Sequence, residues 1–241
     1  MRKLIIALIM LQSLIAQDIK VQTGMLSYLS TSPYKNISYD YFLVPLISVE
    51  YKNFYISGTE AGYIFFSSKD LYISFELSPT LIGYQSDDSD FLQGMKDRDT
   101  ALESGIKLEY IYDFHKLKIK AVYDFFDVYG SYSALFEYSY LNIVDDKNIY
   151  ITNFGLEHFS AKKSSYYFGV LNSESTLNRE SYSLNETYNF YASVDYIYMI
   201  NADWTFFANL EYKYYNYQVY KSPVVDKQSA VSNFLGVLYE W

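Results

Sequence analysis

The chain has 241 residues, contains no cysteine, and carries 19 Lys and Arg against 28 Asp and Glu, a formal net charge of −9. The acidic balance argues against a nucleic-acid-binding protein, which needs a basic surface, and the absence of cysteine excludes disulfides and thiolate chemistry. The 30 Tyr and 17 Phe are unusual. Buried hydroxyls each need a partner, whereas Tyr suits a membrane–water interface, where one end of the ring is apolar and the other is wet.

The chain begins with a segment typical of a secretory signal peptide. Arg2 and Lys3 precede an apolar run at residues 4–16, which is followed at once by Gln17. The run is too short for a membrane-spanning helix, which needs about 20 apolar residues. We therefore predict cleavage after residue 16 and a single mature domain at residues 17–241.

The rest of the chain has a hydrophobic pattern with a period of two, which is typical of β-strands. Between Trp204 and Tyr215, apolar residues such as Phe206 and Leu210 alternate with polar residues such as Glu211. Applied along the chain, this pattern predicts twelve strands, at residues 21–30, 41–51, 53–63, 71–78, 104–112, 116–126, 130–140, 148–157, 165–171, 187–199, 203–216 and 229–241.

Several predicted strands are long enough to cross a bilayer when tilted, which takes about 9–11 residues. Their apolar faces end in aromatic residues, as the girdles of membrane barrels do. Because backbone groups in lipid must pair internally, such strands indicate a closed antiparallel up-and-down barrel, with both termini on the periplasmic side if the count is even. A soluble barrel or sandwich also alternates and remains the alternative. Polar residues predicted to face the lumen are Lys107, Glu109, Lys118, Lys120, Glu211 and Lys213.

A long polar insert at residues 79–103 does not fit this scheme neatly. With four strands before it, the insert would lie in the periplasm, where turns are short; either a strand is miscounted or the insert folds into the barrel. Its acidic residues Asp88, Asp90 and Asp97 beside Arg98 suggest either a divalent-cation loop or pairing of Asp with Arg at the lumen or rim. The pattern of a calcium loop is absent, and pairing is the interpretation we favour.

Motifs for catalysis and cofactor binding are few. His158 and Ser160 lie two residues apart, a spacing that would let an imidazole activate a hydroxyl, with Glu174 as the nearest downstream acid. A turn histidine is the simpler interpretation. No sequence resembles a phosphate-binding glycine loop or a zinc site, so we predict no cofactor, no metal and no catalytic residue.

Several stretches together resemble one family of outer-membrane proteins, the MipA/OmpV family, over residues 24–241. They are the early hairpin VPLISVEYKNFYISG at residues 44–58, the insert DSDFLQGMKDRD at 88–99, YYFGV at 166–170, SPVV at 222–225 and the aromatic terminus. The chain differs from the family in its few glycines and many tyrosines.

The resemblance implies an outer-membrane barrel without agreed catalytic residues. The family takes its name from a member that interacts with MltA, a murein-degrading lytic transglycosylase, and bridges it to a peptidoglycan synthase. It therefore implies a non-enzymatic envelope scaffold that docks a murein hydrolase or synthase. A narrow pore for small solutes is the alternative, and a lipid hydrolase using His158 and Ser160 is a third. The resemblance also makes Tyr239 and Trp241 a signal for the barrel-assembly machinery, with outer-membrane lipid as the surroundings.

Overall fold

The computed structural model describes residues 19–241, so the predicted signal peptide at residues 1–16 lies outside the described residues. Twelve antiparallel strands form a closed barrel in which β1 pairs with both β2 and β12. The fold prediction is confirmed. The strands are β1 (Ile19–Thr31), β2 (Tyr39–Tyr51), β3 (Phe54–Ser57), β4 (Glu60–Ser67), β5 (Leu71–Pro79), β6 (Leu102–Tyr112), β7 (His115–Asp124), β8 (Tyr132–Ile143), β9 (Asn148–Phe159), β10 (Thr187–Met199), β11 (Trp204–Tyr214) and β12 (Ser229–Glu240).

The predicted strand count is right through two errors that cancel. Residues 53–63 are not one strand but the hairpin of β3 and β4, which turns at Gly58 with a positive φ of 61°. A glycine adopts this left-handed conformation without the steric cost that a side chain would add. Residues 165–171 do not form a strand, because most of them belong to the helix α1 (Ala161–Phe168).

Helix α1 begins where a local signal permits it. The hydroxyl of Ser160 accepts a hydrogen bond from the backbone N–H of Lys163 at 3.3 Å, and it thereby satisfies one of the free donors of the first turn. A second short helix, α2 (Tyr217–Tyr220), follows β11. No helix within residues 19–241 is long and apolar enough to cross a membrane.

The extra strand moves the polar insert to the other end of the barrel. Five strands precede residues 80–101, so this segment lies at the end opposite the start of β1 and the end of β12. Four preceding strands would have placed it at the same end as these two. The other long connections, residues 160–186 and 215–228, lie at this same end. At the terminal end the strands are joined by short turns such as 52–53 and 113–114.

The barrel wall is apolar outside and polar inside. On β11 the outward side chains include Leu210, which is 59% exposed, and Tyr212. The neighbouring residues Glu211 and Lys213 point inward and pair with each other at 3.7 Å. Period-two alternation therefore places apolar groups on the outer surface, where a soluble barrel would be polar, and charged groups in the lumen.

The barrel's end opposite the termini carries a compact apolar cluster. We call it the cap: residues 32–38, 80–101, 160–186 and 215–228. Fully buried side chains from three of these segments pack together here, among them Leu92, Tyr167, Phe168, Val219 and Val224. The cap is the conventional hydrophobic core of the molecule, and it covers one mouth of the lumen.

Candidate functional site

A buried carboxylate with two lysine partners lies inside the barrel. Glu76 on β5 is fully buried and lies 2.9 Å from Nζ of Lys107 and 2.6 Å from Nζ of Lys120. The hydroxyl of Tyr55 on β3 donates a hydrogen bond to the same carboxylate at 3.3 Å. Since a buried charge is tolerated only when it is paired and hydrogen-bonded, this arrangement fixes four strands of the wall to one another.

A second carboxylate repeats the arrangement further round the lumen. Glu137 on β8 lies 2.8 Å from Nζ of Lys118 and accepts a hydrogen bond from the hydroxyl of Tyr191 on β10. We call these two groups together the ion-pair belt; its members are Tyr55, Glu76, Lys107, Lys118, Lys120, Glu137 and Tyr191. The belt fills part of the lumen with paired charges from β3 round to β10.

Two glycines allow the tyrosines of the belt to reach their carboxylates. Tyr55 must cross β4 to reach β5, and a Cβ at Gly62 on β4 would collide with its ring. Tyr191 must likewise cross β9 to reach β8, and a Cβ at Gly155 would collide with the ring of Tyr191. A glycine in the interior of a strand weakens the strand. Here the close approach of an aromatic ring explains why a glycine occupies each of these two positions.

Between the belt and the cap lies a cavity of about 390 Å³. Its lysines are paired: Lys213 lies 2.9 Å from Glu157, and Lys163 of helix α1 lies 2.5 Å from Glu103. Burial lowers the pKa of Lys163, an effect that the neighbouring Glu103 carboxylate opposes. The cavity is thus lined by paired lysine and glutamate side chains, in a volume of the size that small-molecule sites have.

A buried salt bridge joins two segments of the cap. Arg98 and Glu174, whose side chains are 4% and 2% exposed, lie 2.8 Å apart. Burial raises the pKa of Glu174, but backbone N–H groups of Leu171 and Lys96 and the guanidinium of Arg98 outweigh it, so the pKa is lowered overall. Arg179 donates to the carbonyls of Phe91, Gln93 and Glu174, which ties the same two segments together.

The predicted cluster of Asp88, Asp90, Asp97 and Arg98 is not one group. Asp88 accepts a hydrogen bond from the N–H of Gln85 at 2.7 Å, and Asp97 accepts one from the N–H of Ser86 at 2.7 Å, which lowers the pKa of Asp97. Asp90 accepts from the side chain of Gln93 at 3.4 Å. Arg98 pairs with Glu174 and with none of the three aspartates. Within residues 19–241, no group of acidic or histidine side chains is arranged to hold a metal ion.

His158 and Ser160 point to different places. The ring of His158 lies on the outer surface of β9, between Tyr132 and Tyr188, with Nε2 3.3 Å from Glu186. Ser160 is buried and caps helix α1. Glu174, the acid that sequence reasoning placed with them, is the partner of Arg98. The structure therefore does not bring these three residues together.

The terminal aromatics lie at the outer surface beside the first strand. Tyr239 packs against Trp204 and Trp241, with ring centroids 5.0 and 4.9 Å apart. The indole N–H of Trp241 donates to the hydroxyl of Thr23 at 3.0 Å, across the β1–β12 closure. They form part of an aromatic girdle at the end where both termini lie.

Sequence reasoning placed the lumen lysines correctly but missed how the belt and the cap are held. The signal for the belt was present, because Gly62 and Gly155 interrupt strands that otherwise carry side chains. Nothing in the sequence marks Glu174 as the partner of Arg98, which lies 76 residues away.

A closed twelve-stranded barrel with an apolar outer wall, aromatic girdles and charged lumen is a transmembrane β-barrel of the outer membrane. The short turns, the start of β1 and the end of β12 then lie in the periplasm, and the cap lies outside the cell. The sequence matches the family described as "MltA-interacting protein MipA" over residues 23–241, so the chain belongs to the MipA family.

Two relatives agree with this membership. The chain is 24% identical over 239 residues to the protein named putative outer membrane protein YiaT of Escherichia coli K12, covering 98% of this chain and 96% of that protein. It is 23% identical to the MltA-interacting protein of the same organism, covering 87% and 85%. Among solved structures, the translocator domain of the autotransporter NalP from Neisseria meningitidis is similar with a TM-score of 0.45 and 10% identity, covering 98% and 92%.

Proposed function

We propose that this barrel is a non-enzymatic scaffold of the outer membrane that docks a murein-remodelling enzyme at its periplasmic end. The observation that carries the proposal is the family: a relative that aligns with 87% of the chain is named for its interaction with MltA. The lumen is consistent with this role, because the ion-pair belt obstructs it and the cap covers its outer mouth.

The periplasmic surface carries charged groups on short turns, which a partner protein could bind. Asp146 and Asp203 are exposed and lie on the turns 144–147 and 200–203. Short turns hold such side chains in fixed positions, and charge complementarity would favour a partner with a basic patch. The non-enzymatic character is supported by the separation of His158 from Ser160 and by the structural use of Glu174.

Binding of purified murein enzymes to the barrel in nanodiscs tests the proposal. A lytic transglycosylase or a bifunctional murein synthase from the same organism should bind with a measurable Kd. Asp146→Lys/Asp203→Lys should weaken that binding, whereas Asp87→Lys on the exposed cap should not. Failure of both enzymes to bind would overturn the docking role.

The alternative of a narrow pore is tested separately. Planar-bilayer recording should show no stepwise conductance for the native barrel, since paired charges and the cap obstruct the lumen. The variant Lys118→Ala/Glu137→Ala removes one ion pair of the belt and serves as the matched variant that should conduct if the belt obstructs the lumen. Conductance in the native protein would favour the pore.

We further propose that Tyr239 and Trp241 form the signal that the barrel-assembly machinery reads. The ring of Tyr239 lies on the outer face of the last strand and that of Trp241 lies directly after the end of the strand, where a receptor in the membrane could reach them. Outer-membrane lipid is the medium that the apolar wall requires.

A further inference from the structure

The barrel wall is incomplete on one side. β2 pairs with β1 along its whole length, residues 39–51, but with β3 only at residues 48–51. β3 has four residues and turns back at residues 58–59, far below the outer rim. The stretch 39–47 of β2 therefore has a strand neighbour on one side only. We call the gap between this stretch and the outer end of β5 the notch.

The notch lies at membrane depth. The outward side chains of the unpaired stretch include Leu43, which is 57% exposed, and Ile47. Pro45 lies in this stretch, and a proline, having no N–H to donate, is typical of a strand edge without a partner. In the hydrocarbon region, unpaired backbone occurs only where it is buried in protein or lines a watery cavity. The notch must therefore open onto such a cavity.

The cavity between belt and cap meets this requirement. Its lining includes Asp40, Thr59 and Glu60 at the border of the notch, and also Lys213 and Glu157 on the far wall. The 390 Å³ space thus runs continuously from the notch into the lumen. Because the cap closes the axial mouth, the notch gives a route from the outer leaflet into this space.

The lining of the cavity has two different faces. Tyr28 and Phe234 lie on the wall of β1 and β12, with ring centroids 4.8 Å apart, and Phe42 of β2 stacks on Tyr28 at 4.5 Å. The rest of the lining carries charged side chains of β7, of β9 and of β11, the strand next to β12. An aromatic face next to a charged face fits a molecule with an apolar part and a charged head.

The ion pairs inside the cavity indicate which charge the head group of such a ligand would carry. Its lysines each have a carboxylate within 2.9 Å: Lys118 with Glu137, Lys120 with Glu76, Lys163 with Glu103 and Lys213 with Glu157. Asp40 and Glu60 have no ion pair within residues 19–241, and the buried Oε2 of Glu157 has no hydrogen-bond partner there. The cavity therefore has surplus negative charge and an acceptor without a donor.

We propose that the cavity binds a hydrophobic cation, an ammonium ion carrying an alkyl or aryl group, which enters from the outer leaflet through the notch. The apolar group lies against Tyr28 and Phe234, and the ammonium lies beside Asp40 and Glu60, which have no lysine partner, at the border of the notch. This site is independent of the docking role at the periplasmic end, since it lies at the opposite end of the lumen.

Calorimetric titration of the barrel in phosphatidylcholine nanodiscs tests the proposal, with empty nanodiscs subtracted. Dodecylammonium should bind saturably, and dodecyl sulfate, with the same chain and the opposite charge, should not. Asp40→Asn/Glu60→Gln should weaken binding about tenfold or more, as expected on loss of charged partners. The matched control Glu50→Gln/Asp70→Asn removes two acids at the periplasmic end and should leave binding unchanged.

A photoreactive alkylammonium then locates the ligand. Cross-links to Tyr28 or Phe234 support the proposal, and cross-links confined to outward residues such as Leu29 and Leu43 overturn it. Equal binding of dodecyl sulfate, or no saturable binding above empty nanodiscs, also overturns it. A disulfide-linked dimer formed by Leu43→Cys in native membranes would show that a second copy covers the notch instead. Migration in unheated gels verifies that each variant is a folded barrel.

Discussion

The wall and the cap are built on opposite principles. In the wall, the apolar side chains such as Leu210 point outward and the charged ones such as Glu76 point inward. In the cap, Leu92 and Phe168 are buried in a core like that of a soluble domain. The difference follows from the surroundings, because lipid rewards an apolar exterior whereas water rewards an apolar interior. One chain of 241 residues changes from one rule to the other within a single connection, such as the one from β5 into residues 80–101.

The two regions also hold their ions differently. Glu76 in the wall has two lysine partners and a tyrosine, so that loss of one contact leaves others. Glu174 in the cap has one ionic partner, Arg98, and two backbone N–H donors. The cap should therefore be the more sensitive of the two to removal of a single charge.

The largest effect is expected for Arg98→Ala. It leaves the buried Glu174 carboxylate without its counter-ion, which costs about 3–5 kcal/mol. The cap should loosen while the wall stays folded, so limited proteolysis should cut residues 80–101 or 160–186 and heat-modifiable migration should persist. In the control Arg98→Ala/Glu174→Gln, the uncompensated charge is gone and the acceptor for Leu171 is kept, so much of the protection should return. Equal protease resistance of Arg98→Ala and the native protein would contradict the expectation that the cap is more sensitive than the wall to removal of one charge.

The same pair predicts a pH dependence of the cap. The folded-state pKa of Glu174 is lowered, so its contribution to stability is present above the unfolded-state pKa, about 4.3, and is lost as pH falls through the lower folded-state value. The protection factors of the amides in residues 80–101, which are corrected for the intrinsic pH dependence of exchange, should thus decrease as the pH falls below about 4.3. Glu174→Gln should have a flatter profile in this range. If the native protein and Glu174→Gln showed the same pH dependence of hydrogen exchange, carboxylates other than Glu174 would be responsible for it.

Leu210→Arg tests the barrel wall, whose apolar side chains face lipid. Leu210 lies on the lipid face within β11, and an arginine near the bilayer midplane destabilises a membrane barrel by about 2–4 kcal/mol. Reversible urea unfolding in liposomes measures this cost. The adjacent Glu211→Gln points into the lumen and should cost far less. Equal costs at the two positions would mean that the wall does not have a lipid face and a lumen face.

Long regular alternation made most of the wall predictable. The predicted strands at 116–126, 187–199 and 203–216 lie within two residues of β7, β10 and β11. The pattern failed where it was short. The single turn signal Gly58 lies between two stretches of the same period, so the hairpin of β3 and β4 was predicted as one strand.

The cap was less predictable, for physical reasons. Tyr166, Tyr167 and Phe168 are aromatic residues of the kind that strands favour, but Ser160 and tertiary packing stabilise a helix there instead. The contact of Arg98 with Glu174 joins segments distant in sequence, and a single sequence carries no signal for such a pair. The notch could not be predicted either, because it exists only if residues 53–63 form a short hairpin, and the sequence pattern predicted one strand there.

Gly155→Ala probes the fit of the belt. The added methyl group collides with the ring of Tyr191, and overpacking of this kind costs about 1–3 kcal/mol. The ring must move, so its hydrogen bond to Glu137 should be lost. Urea unfolding of the two single variants and of Gly155→Ala/Tyr191→Ala forms a double-mutant cycle. The double variant should cost less than the sum of the two single variants, and simple additivity would show that the ring does not depend on this glycine.

The smallest effect on the stability of the folded barrel is expected at the terminus. Removing Trp241 deletes an exposed hydrogen bond to Thr23, a loss of about 0.5–1.5 kcal/mol, because the strand pairing of β12 with β1 remains. Refolding into detergent in vitro should therefore proceed nearly as in the native chain. In cells, if Tyr239 and Trp241 are read by the assembly machinery, the fraction of protein assembled in the outer membrane should fall much more than this stability loss explains. Trp204→Ala removes a tryptophan from the same girdle but not from the terminus, and it should leave assembly largely intact. Equal assembly of the two variants would leave the terminal aromatics with the role of girdle residues and no role as a signal.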